Sequence, residues 1–140
     1  MIFDIVPFDR GPAHRAFIED TFLRCARESW PWSMCDFTSL KRDFQWRIRR
    51  PGARVALAVV PGEPNEFMGW AAVDKAKGEV IFAYTTSEYR TKGEFRTGPA
   101  TALVTALGLD VSSPTPLRYW TPTAQVLASR GYKIEPARTP

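Results

Sequence analysis

Three β-rich runs in close succession constrain this chain more than any other feature. Residues 54–60 read Arg-Val-Ala-Leu-Ala-Val-Val, residues 66–74 contain Gly69-Trp70, and residues 79–86 read Glu-Val-Ile-Phe-Ala-Tyr-Thr-Thr. Only the turn residues Pro61-Gly62-Glu63-Pro64-Asn65 separate the first two runs, and Lys77-Gly78 closes the second connection. Both links are far shorter than the dozen or more residues that a parallel crossover needs. The three strands therefore pair as an antiparallel meander. At 140 residues, with no internal repeat and no linker, the chain has room for one core, so residues 1–140 read as a single domain.

The flanks alternate strand and helix. Residues 2–6 read as a strand closed by Gly11-Pro12. Residues 13–27 read as a helix whose stripe is Ile18, Phe22, Cys25, Ala26 and Ser29. A second helix follows from an N-cap at Thr38 or Ser39 to Arg50, before Pro51-Gly52. Its apolar arc is Phe37, Leu40, Phe44 and Ile48, while Lys41, Arg42, Arg47, Arg49, Arg50 and Trp46 occupy the remainder. Beyond the meander, Pro99 opens a helix that Gly108 ends, and its apolar residues surround most of its circumference. A strand at 117–120, a short helix at 122–130 and a strand at 132–134 complete the order β, α, α, β, β, β, α, β, α, β. This predicts an α+β domain, an α/β/α sandwich with a mixed, mostly antiparallel sheet and helices on both faces.

The residue inventory excludes several chemistries. His14 is the only histidine and precedes an amphipathic segment, which suits a surface or capping residue better than a catalytic imidazole. Cys25 and Cys35 lack partners at zinc spacing and are too few for a disulfide framework, so no metal is expected. Gly93 and Gly98 have the spacing of a phosphate-binding P-loop, but Pro99 and Ala100 stand where Lys and Ser or Thr would be needed. The N-terminus lacks the pattern of a secretion signal and no apolar run is long enough for a membrane span, so a cytoplasmic protein is expected. A net charge of +4 favours an anionic ligand without the charge density of a nucleic-acid binder. Arg90, Lys92 and Arg96, set around Gly93 before a helix start, form such an anion cradle.

Two motifs carry a resemblance. The run Ser87-Glu88-Tyr89-Arg90-Thr91-Lys92-Gly93-Glu94-Phe95 after the third meander strand resembles the acetyl-CoA pyrophosphate loop of the GNAT acyltransferases, except that Phe95 replaces a small residue. A second register ends at Gly98-Pro99-Ala100, and a lengthened loop would include both glycines. Downstream, Ala124, Leu127, Gly131 and Tyr132 fit the family's second pattern, with Thr121 in place of its Asn and Ala128 in place of the Tyr that protonates the leaving thiolate. The likeness spans residues 1–136, is densest over 66–132, and is greatest to short GNAT-like proteins of bacteriophages.

The resemblance implies an N-acetyltransferase that takes acetyl-CoA as cosubstrate and acetylates an amine of a small molecule or protein. Cofactor contacts would fall on Thr85, on Arg90, Lys92, Gly93 and Arg96 of the loop, and on Thr97, Gly98, Ala100 and Thr101 at the helix start. Glu79 matches the position of the general-base glutamate in one branch of the family, although a strand-end charge beside Gly78 reads equally well. Tyr84 and Ser87, with Tyr132, are candidates to replace the absent tyrosine acid. The alternative is a GNAT-like module that has lost catalysis and binds a host protein through Trp30, Trp32 or Trp46, as a phage effector would.

Overall fold

A computed structural model describes residues 3–9, 11–27, 34–86, 88, 99–129 and 131–137. The elements run β1 (Asp4–Pro7), α1 (Pro12–Arg27), α2 (Phe37–Ile48), β2 (Ala53–Val60), β3 (Glu63–Asp74), β4 (Glu79–Thr85), α3 (Pro99–Ala106), β5 (Thr115–Leu117), α4 (Pro122–Ser129) and β6 (Ile134–Pro136). The strands form one six-stranded sheet in sequence order. The pairings β1–β2, β2–β3 and β3–β4 are antiparallel, while β4–β5 and β5–β6 are parallel. The meander and the mixed sheet are thus as expected.

Alternation along the strands sorts the core into two layers. Leu57, Trp70, Ala72 and Phe82 face α1 and α2, packing with Ile18, Phe22, Leu40, Phe44 and Tyr119. Ala56, Ala58, Ala71, Val73 and Val80 face the other way, against Leu103 and Val104 of α3. Phe22 stacks on Phe44 with centroids 4.0 Å apart, and Trp70 meets Phe44 edge-on. The Trp70 indole would be left with an unmet donor at full burial, so Nε1 donates to Thr21 Oγ1 at 2.7 Å.

Several boundaries differ from the sequence reading for identifiable reasons. Asp36, not Thr38 or Ser39, is the N-cap of α2, because its extended backbone lets its carboxylate accept from Ser39 N at 3.1 Å. Phe37 is 45% exposed, so the buried arc of α2 is Leu40, Phe44 and Ile48. Helix α3 buries Leu103 and Val104 but exposes Thr105 and Ala106, so its apolar circumference is only partly covered; a methyl left in water costs little. Strand β6 begins at Ile134 because Tyr132 N is spent on Leu127 O, closing the end of α4 around Gly131 at φ 98°. Cys25, on the stripe of α1, is half-buried. His14 is a half-buried capping residue: its Nδ1 accepts from Asp9 N at 3.3 Å just before α1, while its ring stacks on Phe8 and meets Phe67 edge-on.

Candidate functional site

The sheet opens between β4 and β5. Their register contains one pair, Val80 with Leu117, supported by Arg118 N to Val80 O at 2.8 Å and Tyr119 N to Ile81 O at 3.4 Å. No strand pairing with β5 continues along residues 82–85 among the described residues. A bulge explains where pairing stops. Ala72 opposes Phe82 and Val73 opposes Val80, which leaves Ile81 as the extra residue. Ile81 and Phe82 consequently both lie in the α1–α2 layer. A bulge bends its strand and sharpens the local twist, and this one lies next to the single β4–β5 register pair.

Gly69 shapes the same end of β4 from the other side. It pairs with Thr85, and a Cβ built on it would lie 2.5 Å from Tyr84 O and 3.3 Å from Thr85 Cα. Next to it, Met68 is the extra residue of a second bulge, and its carbonyl accepts from Thr86 N at 2.9 Å and from Thr86 Oγ1 at 3.2 Å. An interior strand glycine signals such a close approach, so this feature was detectable in the sequence.

Tyr84 and Thr85 therefore stand together beside the opening, both half-buried. Tyr84 lies in the α1–α2 layer, where Phe17 meets its ring edge-on at 6.3 Å and stacks on Phe67 at 4.8 Å. Ala100 is half-buried in the first turn of α3, which also contains Thr101, and α3 packs on β3 and β4. Ser87, Arg90, Lys92, Gly93, Arg96, Thr97 and Gly98 lie outside the described residues, as do Trp30 and Trp32.

Glu79 is not in this group. It is the first residue of β4, about 20 Å from Thr85 at ~3.3 Å per strand residue. Its carboxylate is 5% exposed and is held by a fork from Arg118, Nε to Oε1 at 2.9 Å and Nη2 to Oε2 at 2.8 Å. It is therefore no solvated strand-end charge. Arg118 had no local signal in the sequence, because it meets Glu79 only when β5 lies alongside β4. Tyr132 also belongs to the far end, since it precedes β6 where β5 begins, and its buried hydroxyl has no hydrogen-bond partner among the described residues. A separate network joins α2 to the chain after β5, where the Tyr119 hydroxyl donates to Asp43 Oδ2 and Arg47 Nε donates to the same oxygen at 3.0 Å. Burial, and then the bond to Asp43, hold the Tyr119 phenol far above the ordinary tyrosine range.

Comparison with solved structures finds likenesses that span the whole chain. A putative acetyl transferase from Pyrococcus furiosus aligns over 99% of this chain and 98% of its own, with a TM-score of 0.56 and 13% identity. The fold is GNAT-like. An aminoglycoside antibiotic 6′-N-acetyltransferase from Acinetobacter baumannii aligns over 99% of this chain and 95% of its own, with a TM-score of 0.51 and 15% identity. At these identities the likeness is one of architecture. No protein-family model matches the chain, and no curated protein matches it in sequence. Among the described residues no group of three His, Cys, Asp or Glu side chains could hold a metal ion, and no helix is long and apolar enough to cross a membrane.

Proposed function

We propose that this chain is a cytoplasmic N-acetyltransferase that uses acetyl-CoA and acetylates an amine of a small molecule or protein. The observation that carries the reading is that β4–β5 pairing is confined to Val80 and Leu117 beside the Ile81 bulge, within a GNAT-like fold. Extended strand backbone can pair with an extended ligand that has amides of its own, which is the chemistry of a pantetheine arm.

Bound acetyl-CoA supplies an activated thioester whose carbonyl carbon the amine attacks. The chain's own residues bind and orient it. Backbone at Thr85 pairs with the pantetheine. Amides around Gly93 and Gly98 take the pyrophosphate with Arg90, Lys92 and Arg96, and Thr97, Ala100 and Thr101 continue the cradle into the helix start. Tyr84, beside the opening, and Ser87, just beyond β4, are the hydroxyls for proton delivery to the leaving thiolate. Glu79 can serve as base only if Arg118 releases a carboxylate oxygen; paired as it is, it holds β5 against β4.

A thermal melt tests the reading. Acetyl-CoA at a hundredfold excess over its dissociation constant should raise stability by ~2.7 kcal/mol. A melt unmoved by millimolar acetyl-CoA overturns it.

A further inference from the structure

We propose that the outward face of α2 docks an acidic segment of a partner protein, with Trp46 as its apolar anchor and Arg42, Arg49 and Arg50 as its carboxylate contacts. This surface is separate from the β4–β5 opening, and the inference does not rest on acetyl transfer.

Arg42, Trp46, Arg49 and Arg50 are spaced i, i+4, i+7 and i+8, which places them on one stripe of the helix and its C-terminal extension. The opposite stripe, Leu40, Phe44 and Ile48, is the one that packs on the sheet, so α2 does not need Trp46 for its own burial. Trp46 is nevertheless 56% exposed. A large indole left in water gains most when a partner covers it, and Trp and Arg dominate interface energetics for that reason.

Among the described residues, the three arginines of this stripe have no acidic complement, and the nearby carboxylates are engaged elsewhere. Asp43 is taken by Arg47 and Tyr119, and Glu19 accepts from Gln45 at 3.0 Å with Lys41 at 3.8 Å. Among the described residues, no carboxylate lies within ion-pair distance of Arg42, Arg49 or Arg50. Nearby, Arg15 and Arg49 share a small pocket between α1 and α2 with Glu19 and Gln45.

The chemistry of the occupant follows from how Trp46 is dressed. The Arg50 guanidinium lies 4.8 Å from its ring centroid and that of Arg47 lies 5.6 Å away. A nucleobase would have to displace Arg50 to stack on that face. A carboxylate meets the N–H fork of Arg50 while the guanidinium stays on the ring. An acidic polypeptide with an apolar side chain among its carboxylates therefore fits this face without rearranging it.

The test uses a fluorescently labelled peptide of about 12 residues, roughly three helical turns, with glutamates spaced i, i+4 and i+7 around one central leucine. Fluorescence anisotropy should show binding that weakens as salt rises from about 50 to about 500 mM. Trp46→Ala and the double variant Arg42→Glu/Arg49→Glu should each weaken it by about tenfold or more. Arg24→Glu, on the exposed side of α1, should leave it unchanged, and melting temperatures check that every variant folds. The proposal is overturned if the peptide does not bind at millimolar concentration or if Trp46→Ala has no effect. It is equally overturned if an oligothymidylate of equal charge, or phosphatidylserine vesicles, bind more tightly than the peptide.

Discussion

Arg118 closes on Glu79 as a fork at 2.9 and 2.8 Å, and the two side chains are 7% and 6% exposed. The pair joins the chain just after β5 to the first residue of β4, at the end where their backbone pairing is confined to one register position. A buried pair of this kind is costly to break, since removing one partner strands the other charge; such losses run ~3–5 kcal/mol. Glu79→Gln should therefore shift urea unfolding by several kcal/mol, and Glu79→Leu combined with Arg118→Met should recover most of it. If Glu79→Gln instead keeps its stability and slows acetyl-CoA-dependent CoA release ~10² to 10⁴-fold, the glutamate acts as a general base.

Tyr119 sets the alkaline limit of stability. Burial and the Asp43 bond raise its phenol far above the ordinary tyrosine value of about 10. Above that pH the unfolded chain gives up the phenolic proton while the folded protein keeps it. The native state then binds more protons, so the stabilisation is intact below about pH 10 and is lost as pH rises further. Denaturant titrations between about pH 9 and 11 should show this decline in the native chain, and Tyr119→Phe should flatten it. A decline of equal slope in the variant would assign the effect to other groups.

Gly69→Ala should distort the approach of β3 to β4. The new methyl would meet the Tyr84 carbonyl at 2.5 Å, and that contact is backbone rather than a flexible side-chain end. Overpacking of this kind costs ~1–3 kcal/mol. Because Thr85 is the pairing partner of Gly69, the variant should also lose much of the melting shift given by acetyl-CoA. A retained shift would separate the cofactor site from this end of β4.

Charge reversal separates the cofactor loop from the α2 face. Arg90→Glu with Arg96→Glu should abolish the acetyl-CoA shift, whereas Arg42→Glu with Arg49→Glu should preserve it. Ala128 is half-buried on α4 where the resembled pattern has tyrosine. Ala128→Tyr should raise the rate of CoA release if a proton donor is what the site lacks. An unchanged rate would show that proton delivery there does not limit turnover.

Trp70 rests on one hydroxyl. Thr21 Oγ1 accepts from its Nε1 and donates to Phe17 O at 2.7 Å, so Thr21→Val leaves a fully buried indole N–H without its acceptor. The expected loss is ~1–3 kcal/mol, read from the midpoint of urea unfolding.

By itself the sequence determined the local pieces of this protein. Short turn-rich connections around 61–65 and 77–78 dictated the meander, and apolar periodicity marked α1 and α2. Pro99 and Gly108 bracketed α3. Each of these is a property of neighbouring residues, and neighbours are what a sequence displays. Only the tertiary structure decided the rest. Arg118 reaches Glu79 from 39 positions away, and Tyr119 reaches Asp43 from 76. Neither pairing has a periodic signature, because each exists only once β5 is laid parallel to β4 and α2 is packed across the sheet. The bulges at Met68 and Ile81 likewise follow from how adjacent strands accommodate one another's twist. Strand partners, not local pattern, confined β4–β5 pairing to Val80 and Leu117, and partner-dependent burial moved Glu79 from the surface into the interior.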